Sequence, residues 1–189
     1  MVLSRLAKDA AGAASPARAR AQALHLKPDR VMRDPAVAVI ALGANLGDPV
    51  DQVEAAIQAL ADQPEIELIK VSGLYLSPAF QCDGPDFVNA VAQVQTTLTA
   101  FALLGAMADI EQRAGRQRPH RWAPRTLDLD LIFFGAASID GPKLSVPHPR
   151  WEQRAFVVQP LMEVEPNRVS QSVAQAVSQQ SIQRIKGRA

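Results

Sequence analysis

The sequence contains little cysteine and no long apolar segment. The single Cys82 excludes an intramolecular disulfide and any metal site built from several cysteines, and it fits a reducing cytoplasm. No apolar run approaches the ~20 residues that a helix needs to cross a bilayer. Residues 1–34 also lack the apolar region of a secretory signal. We therefore expect a cytoplasmic protein without a membrane partner.

A strong overall charge is also missing, because the chain has a formal net charge of only +1. The positive charge is concentrated in residues 1–34, which carry seven of the 20 Lys and Arg residues and three of the 19 acids. The rest of the chain is left with 13 basic and 16 acidic residues. It therefore lacks the general basic character of a nucleic-acid-binding protein, and we expect no nucleic-acid partner.

The length and composition predict one globular domain. A chain of 189 residues, of which 48% are hydrophobic, can bury a substantial core. Residues 1–34 are rich in Ala and Arg, and we expect a disordered extension or the product of a start codon placed upstream of the true one. We place the folded domain at residues 35–167 and expect residues 168–189 to be a polar tail.

The apolar pattern predicts the order strand, helix, strand, strand, helix, strand. Residues 37–42 are a continuous apolar run typical of a central strand. The turn 43–47 lacks the Lys-Ser/Thr pair of a P-loop, so we interpret it as a strand-to-helix turn. Asp48 and Pro49 are typical of a helix start. The other expected elements are strands over 66–76 and 87–95, a helix from Thr99 to about Ala114, and a strand over 127–134.

This order is the split βαβ pattern of ferredoxin-like folds. We therefore predict an α+β fold with a βαββαβ antiparallel sheet. Both predicted helices are expected to pack on one face of that sheet.

The most informative stretch is residues 121–134, which read RWAPRTLDLDLIFF. At the two-residue period of a strand, one face is apolar throughout and contains Leu127, Leu129, Leu131 and Phe133. The other face begins with Asp128 and Asp130 and ends with Ile132 and Phe134. Because aspartate is depleted from strands, two aspartates on one strand face need a reason.

A metal ion is one reason for the aspartate pair. Like-facing strand residues lie roughly 6.5–7 Å apart, so their carboxylates can lean together and repel. Mg²⁺ takes one or two protein carboxylates and completes its shell with water and substrate phosphate. A solvated strand edge explains the pair equally well by itself.

The residues before the acidic strand favour the metal. Five arginines lie there, and arginine binds phosphate oxygens through forked hydrogen bonds. These arginines are Arg113, Arg116, Arg118, Arg121 and Arg125. The pattern therefore predicts a polyphosphate held between arginine side chains and a carboxylate-bound metal.

Several segments together resemble the 6-hydroxymethyl-7,8-dihydropterin pyrophosphokinase family of folate biosynthesis. In family order they are residues 41–48 (ALGANLGD), 85–90 (PDFVNA), 121–130 (RWAPRTLDLD), 146–149 (VPHP) and 154–156 (RAF). The resemblance covers about residues 36–166, and its most specific segment is 121–130. It implies transfer of a diphosphate from the co-substrate ATP to the pterin hydroxymethyl oxygen, with release of AMP.

The resemblance also implies roles for individual residues. Asp128 and Asp130 would hold two Mg²⁺ ions that bridge the ATP phosphates, and Arg116 and Arg125 would be catalytic arginines of a mobile loop. The pterin would contact Ser77, Pro78, Phe80, Phe87, Asn89, Trp122 and Phe156. The nucleotide would contact Glu111, Arg118, Arg121, Lys143, Ser145, His148 and Arg154. The expected partners are thus the small molecules ATP and hydroxymethyl-dihydropterin, and we expect a monomer.

The sequence departs from the family pattern at four places, one of which is an arginine loop about one residue shorter than in many relatives. Ala44 stands where the family usually has Ser, and Phe87 replaces the commoner Tyr, which keeps the stacking surface but loses a hydroxyl. The loop 80–84 lacks the usual Gly soon after the proline. We expect loops 79–86 and 116–124 to be mobile, because they cannot bury enough apolar surface.

Structural interpretations and other functions stay open at this point. Phe87 and Phe156 could be core aromatics, His148 a surface turn residue and Trp122 a loop anchor. The same sheet topology also occurs in single-stranded RNA-binding modules. Against that function, the two aspartates would repel phosphate without a metal, and the aromatic RNA-binding signature is absent. A catalytically inactive homologue is the third alternative.

Overall fold

An antiparallel sheet lies at the centre of the computed structural model, which describes residues 34–79, 84–115 and 126–187. The strands of this sheet are β1 (Ala36–Ala44), β2 (Ile66–Val71), β3 (Leu74–Ser77), β4 (Phe87–Thr96), β5 (Asp128–Phe134) and β8 (Gln183–Ile185). Their order is β5-β1-β4-β3-β8, and β2 pairs with β4 beside β3. Strands β6 (Ile139–Asp140) and β7 (Ser145–Val146) form a separate two-stranded ribbon.

Four helices accompany the strands in the part of the chain that the structure describes. They are α1 (Pro49–Ala61), α2 (Ala100–Arg113), α3 (Ala155–Val164) and α4 (Gln171–Ala176). A 3-10 turn at Trp151–Gln153 precedes α3. The predicted α+β fold with an antiparallel sheet and helices packed on it is confirmed. None of the described helices is both long enough and apolar enough to span a bilayer.

The sheet has an apolar core on each face. On one face, Ile40 and Leu42 of β1 pack with inward residues of α1 and α2, such as Leu60 and Leu103, and all four are buried. On the other face, Val39 of β1 packs with the apolar side of α3, in a cluster of buried residues that we call the α3 core. Full burial of each such side chain contributes roughly 1.5–3 kcal/mol. The prediction that the two helices share a face is confirmed, and α3 covers part of the opposite face.

The helix boundaries follow from capping residues. The Asp48 side chain accepts a hydrogen bond from the Asp51 N–H, and Thr99 accepts one from the Ala102 N–H. Each satisfies an N–H that has no partner inside its helix. Gly115, with φ 76°, follows α2 in the left-handed conformation that glycine adopts at low cost. These predicted helix ends are confirmed.

The single strand predicted over residues 66–76 is wrong, because Ser72 and Gly73 divide it into β2 and β3. The Ser72 hydroxyl accepts a hydrogen bond from the Val91 N–H and donates one to the Gly73 carbonyl. A side chain thus replaces part of the backbone ladder at the break. Both halves still pair with β4.

The alternation predicted along β5 is wrong at its end. The register between β1 and β5 shifts by one residue, because Val39 pairs with Phe133 whereas Ile40 pairs with Leu131. Ile132 is therefore an extra residue in a β-bulge. As a result Phe133 packs in the α3 core and does not share the sheet face of the leucines. The centroid of its ring lies 5.1 Å from that of the Trp151 ring.

Residues 170–187, predicted to belong to a polar tail, form α4 and β8. Strand β8 pairs with β3, with Leu74 opposite Ile185. Between the two elements, the Val177 side chain is buried in the α3 core. The segment therefore adds an edge strand to the sheet even though most of its side chains are polar.

Candidate active site

The sheet face that carries α3 also carries the predicted polar residues. Gly43 of β1 pairs with Asn89 of β4 on one side and with Asp128 of β5 on the other. Two residues earlier, Ala41 pairs with Asp130 of β5. Directly paired residues point to the same face, so the three polar side chains lie on one face, with only Gly and Ala between them. We call this space, floored by Gly43 and Ala41 and roughly 10 Å across two strand spacings, the trough.

Gly43 was predicted to lie in the turn after the strand, but β1 continues to Ala44. Its lack of a side chain keeps the trough open. A Cβ at Gly43 would lie 3.3 Å from Asn89 Oδ1 and 3.8 Å from the ring of Phe87.

Asn89 is held with its carbonyl oxygen toward the trough. The buried Nδ2 group donates to the Tyr75 carbonyl at 3.2 Å, to Ser77 Oγ at 3.0 Å and to the Phe87 carbonyl at 3.3 Å. These acceptors fix the orientation of the amide, since its oxygen could not take the nitrogen's place among them. Oδ1 then lies on the Gly43 side and presents a hydrogen-bond acceptor to the trough.

Asp130 lies at the centre of a cluster of polar side chains. Arg154 Nη1 is 3.2 Å from Asp130 Oδ2, and His148 Nε2 is 3.9 Å from the same atom. The Arg154 and His148 side chains are only 13% and 16% exposed, whereas that of Asp130 is 37% exposed. Two largely buried donors thus face a carboxylate that still reaches solvent.

His148 is a neutral donor in this cluster. Its Nδ1 accepts a hydrogen bond from the Arg150 N–H at 3.2 Å, so the neutral ring carries its proton on Nε2, which faces Asp130. Burial lowers the pKa of His148, and the nearby Asp130 carboxylate only partly opposes this. The imidazole can therefore donate one hydrogen bond near neutral pH without adding a second positive charge beside Arg154.

Arg154 connects the acidic cluster with an aromatic ring. Burial lowers the pKa of Arg154 and Asp130 raises it, but a guanidinium stays charged at neutral pH. Its Cζ lies 5.5 Å from the centroid of the Phe156 ring, within the range of a cation–π contact. Phe156 is half-buried at the start of α3 and packs against the α3 core.

Glu111 has a structural contact that the sequence did not predict. Its side chain is buried at the end of α2, and Oε1 accepts a hydrogen bond from the Leu129 N–H at 2.7 Å. This bond anchors β5 at the residue between Asp128 and Asp130. The predicted contact of Glu111 with the nucleotide stays a prediction.

The donors present fit a magnesium ion whose coordination shell is completed by substrate. In the described ranges, no group of three or more His, Cys, Asp or Glu side chains is placed to hold a metal by itself. Asp128 and Asp130 offer two hard carboxylates at a partly exposed place. Mg²⁺ commonly binds through one or two carboxylates and substrate phosphates rather than in an all-protein cage.

Several predicted site residues lie outside the described residues. They are Phe80, Arg116, Arg118, Arg121, Trp122 and Arg125. The mobility predicted for loop 116–124 also falls there, as does that predicted for residues 80–83 of loop 79–86. Of the others, Ser77 is buried beside Asn89, Pro78 is exposed after β3, Lys143 is exposed between β6 and β7, and Ser145 is half-buried in β7.

Comparison with known proteins decides the family. A profile of the family described as 7,8-dihydro-6-hydroxymethylpterin-pyrophosphokinase (HPPK) matches residues 39–166. The chain belongs to the HPPK family. The resemblance found in the sequence motifs is thereby confirmed, and the matched segment runs from β1 to the turn after α3.

Relatives in the HPPK family share the same enzyme name. A 2-amino-4-hydroxy-6-hydroxymethyldihydropteridine pyrophosphokinase of Pseudomonas aeruginosa is 46% identical over 68% of this chain and 80% of that protein. The protein of the same name from Haemophilus influenzae is 40% identical over 75% of this chain and 91% of its own length.

Solved structures agree on the HPPK fold. An HPPK-DHPS in complex with substrates matches 76% of this chain with a TM-score of 0.56 at 12% identity. A Plasmodium falciparum HPPK-DHPS triple mutant with pteroate matches 77% with a TM-score of 0.59 at 13% identity. The present chain spans 43% and 41% of those two chains. At this identity the likeness shows the fold alone.

Proposed function

We propose that the chain transfers a diphosphate group from ATP to the hydroxymethyl group of 6-hydroxymethyl-7,8-dihydropterin in tetrahydrofolate biosynthesis. The hydroxymethyl oxygen bonds to the β-phosphorus and loses its proton. The bond between the β-phosphorus and the oxygen bridging to the α-phosphate breaks, and AMP leaves with that oxygen. The observation that carries the proposal is the Asp130 cluster with Arg154 and His148 on the same sheet face as Asn89.

Asp128 and Asp130 are the residues that would hold Mg²⁺, and we propose two ions there. Bound metal supplies charge neutralisation of the phosphates and a clamp on the attacking and leaving oxygens of an in-line displacement. Arg154 would bind a phosphate oxygen through its guanidinium, and His148 would donate its Nε2 proton to another. Phosphoryl-type transfer needs such positioning and charge stabilisation more than covalent help.

The trough is the proposed pterin site. Asn89 Oδ1 would accept a hydrogen bond from an N–H on the edge of the pterin, and Ser77 supports Asn89 from behind. The flat ring would stack between Phe87, on the same face of β4, and Phe156 on α3. The family pattern extends the pterin contacts to Pro78, Phe80 and Trp122.

The remaining family roles are also proposals for this chain. Arg116 and Arg125 would stabilise the charge of the transferred group, as mobile-loop arginines. The nucleotide-binding site would be completed by Glu111, Arg118, Arg121, Lys143 and Ser145. A monomer in the cytoplasm remains our expectation.

The proposal is tested by incubating the chain with ATP, Mg²⁺ and hydroxymethyl-dihydropterin and measuring AMP. Asp130→Asn removes the charge but keeps the size of the side chain, so the fold should persist while turnover falls on the order of 100-fold or more. Asp140→Asn, at an exposed residue of β6, is the matched control and should retain turnover. No AMP from the unaltered chain would favour the inactive homologue, and full turnover by Asp130→Asn would refute the metal role.

A further inference from the structure

One side chain from the C-terminal segment holds the backbone on both sides of Arg154. Gln180 Oε1 accepts a hydrogen bond from the Ala155 N–H at 2.9 Å. The Nε2 group of the same side chain donates to the Gln153 carbonyl at 2.9 Å. A single amide therefore bridges the residue before Arg154 and the residue after it.

The bridge lies where α3 begins. The first N–H groups of a helix have no acceptor within the helix, and Gln180 supplies one for Ala155 from 25 residues away. The Arg154 carbonyl accepts hydrogen bonds from the Val157 and Val158 N–H groups at 3.0 and 2.9 Å. The helix itself therefore holds the carbonyl side of the peptide group that joins Arg154 to Ala155. The backbone of Arg154 is thus restrained from both directions.

The segment that carries Gln180 is itself anchored in the α3 core. Val177 is buried there, and Ile182 packs against the same cluster. Gln180 lies between these two anchors and is half-buried. The amide therefore starts from a fixed position, which a bridging contact needs if it is to orient another residue.

We propose that Gln180 is a positioning residue for Arg154, aiming its guanidinium at Asp130 and at the phosphates of bound nucleotide. The inference rests on the nucleotide role proposed for Arg154. The Arg154 side chain leaves the backbone between the two bonded residues and reaches Asp130 Oδ2 at 3.2 Å. A change in the peptide orientation at residues 153–155 would move the guanidinium away from that geometry.

The first measurement is the affinity for α,β-methylene-ATP in the presence of Mg²⁺. This analogue lacks the phosphorus–oxygen bond that breaks during the reaction. Isothermal titration calorimetry of Gln180→Ala should show a Kd about 3- to 10-fold higher, the effect expected for losing a hydrogen-bonded support. Gln179→Ala, at the exposed neighbouring residue, is the control and should leave the Kd unchanged. Amide exchange of Ala155 should become faster in Gln180→Ala only, which reports the lost bond without any ligand.

A double-mutant cycle separates positioning from general destabilisation. Arg154→Ala should raise the Kd, and adding Gln180→Ala to it should raise the Kd no further. An equal effect of Gln180→Ala in both backgrounds would overturn the inference, because the residue would then act on the fold. If Arg154→Ala weakens binding and Gln180→Ala does not, the inference fails and the proposed function stands. If Arg154→Ala itself has no effect, the nucleotide role of Arg154 fails and the inference with it.

Discussion

At the scale of single residues, the site depends on the absence of a side chain at Gly43 as much as on the polar groups beside it. Asn89 and Asp128 flank Gly43 across neighbouring strands. The Asn89 side chain cannot move aside easily, because its Nδ2 group is hydrogen-bonded to three acceptors. Any side chain at Gly43 would therefore occupy the space that the proposed pterin needs.

Gly43→Ala tests this use of the trough. The new methyl group would sit 3.3 Å from Asn89 Oδ1, so we expect pterin affinity to fall about 5- to 30-fold, the range of 1–2 kcal/mol of overpacking. Affinity for the ATP analogue should be retained, because the new methyl group would meet Asn89 and Phe87 of β4, whereas Asp130 lies on the neighbouring strand β5. Calorimetric titration with each ligand measures both. Unchanged pterin affinity in a folded variant would show that the ring does not lie over Gly43.

The aspartate pair could be predicted from the sequence, and the role of Gly43 could not. The period of a strand is enough to place Asp128 and Asp130 on one face, since this depends only on spacing along one chain. The position of Gly43 between Asn89 and Asp128 depends on the pairing of three strands. Its neighbours in sequence resemble a turn, so the contacts across the sheet were needed to identify it.

At the scale of elements, α2 carries a replaceable glycine. Gly105 is exposed within the helix, and a Cβ there would meet no atom within 4 Å apart from its chain neighbours and the backbone of its own helix. Glycine in a helix interior loses more backbone entropy than alanine on folding.

Gly105→Ala should therefore raise the free energy of unfolding by about 0.5–1 kcal/mol. Urea denaturation measures this, and the m-value should stay constant because the buried surface does not change. Catalytic turnover should also be unchanged, since α2 contacts the opposite face of the sheet from the trough. A destabilised variant would mean that the helix surface at Gly105 is covered.

Elements with local signals were predicted well, and those defined by distant partners were not. The Asp48 and Thr99 caps place both helix starts within the chain itself. The break at Ser72 depends on a hydrogen bond from Val91, and the bulge at Ile132 depends on the register with β1. Strand β8 is short and polar, so only its pairing with β3 identifies it.

At the scale of the whole molecule, Glu163 connects elements that are far apart in sequence. Its carboxylate accepts hydrogen bonds from the Gly73 N–H, the Tyr75 hydroxyl and Arg184 Nε. These residues join α3 to β3 and β8. The Tyr75 carbonyl also accepts a bond from Asn89, so the cluster extends to the wall of the trough.

The cluster makes stability depend on pH in a defined way. Burial, followed by the Glu163 carboxylate, raises the pKa of Tyr75 from 10.0 to about 12. For Glu163, burial raises the pKa, but the bonds from Tyr75, Gly73 and Arg184 outweigh it and lower the pKa overall. A raised pKa means that the fold favours the neutral phenol. The Tyr75 contribution is therefore fully present below pH 10 and is lost as the pH rises towards 12.

Tyr75 is the only tyrosine in the sequence, so the near-ultraviolet absorbance of tyrosinate follows this residue alone. We expect its titration midpoint in the folded chain to lie well above 10.0 and to approach the ordinary value in denaturant. Glu163→Gln should lower the folded midpoint, because the negative charge is removed. Tyr75→Phe should cost about 1.5–3 kcal/mol at neutral pH, where Glu163 loses a donor, and the difference from the unaltered chain should shrink as the pH approaches 12. A folded-state midpoint at the ordinary value would mean that the phenol does not bind Glu163, and the proposed link between α3, β3 and β8 would then lack its central bond.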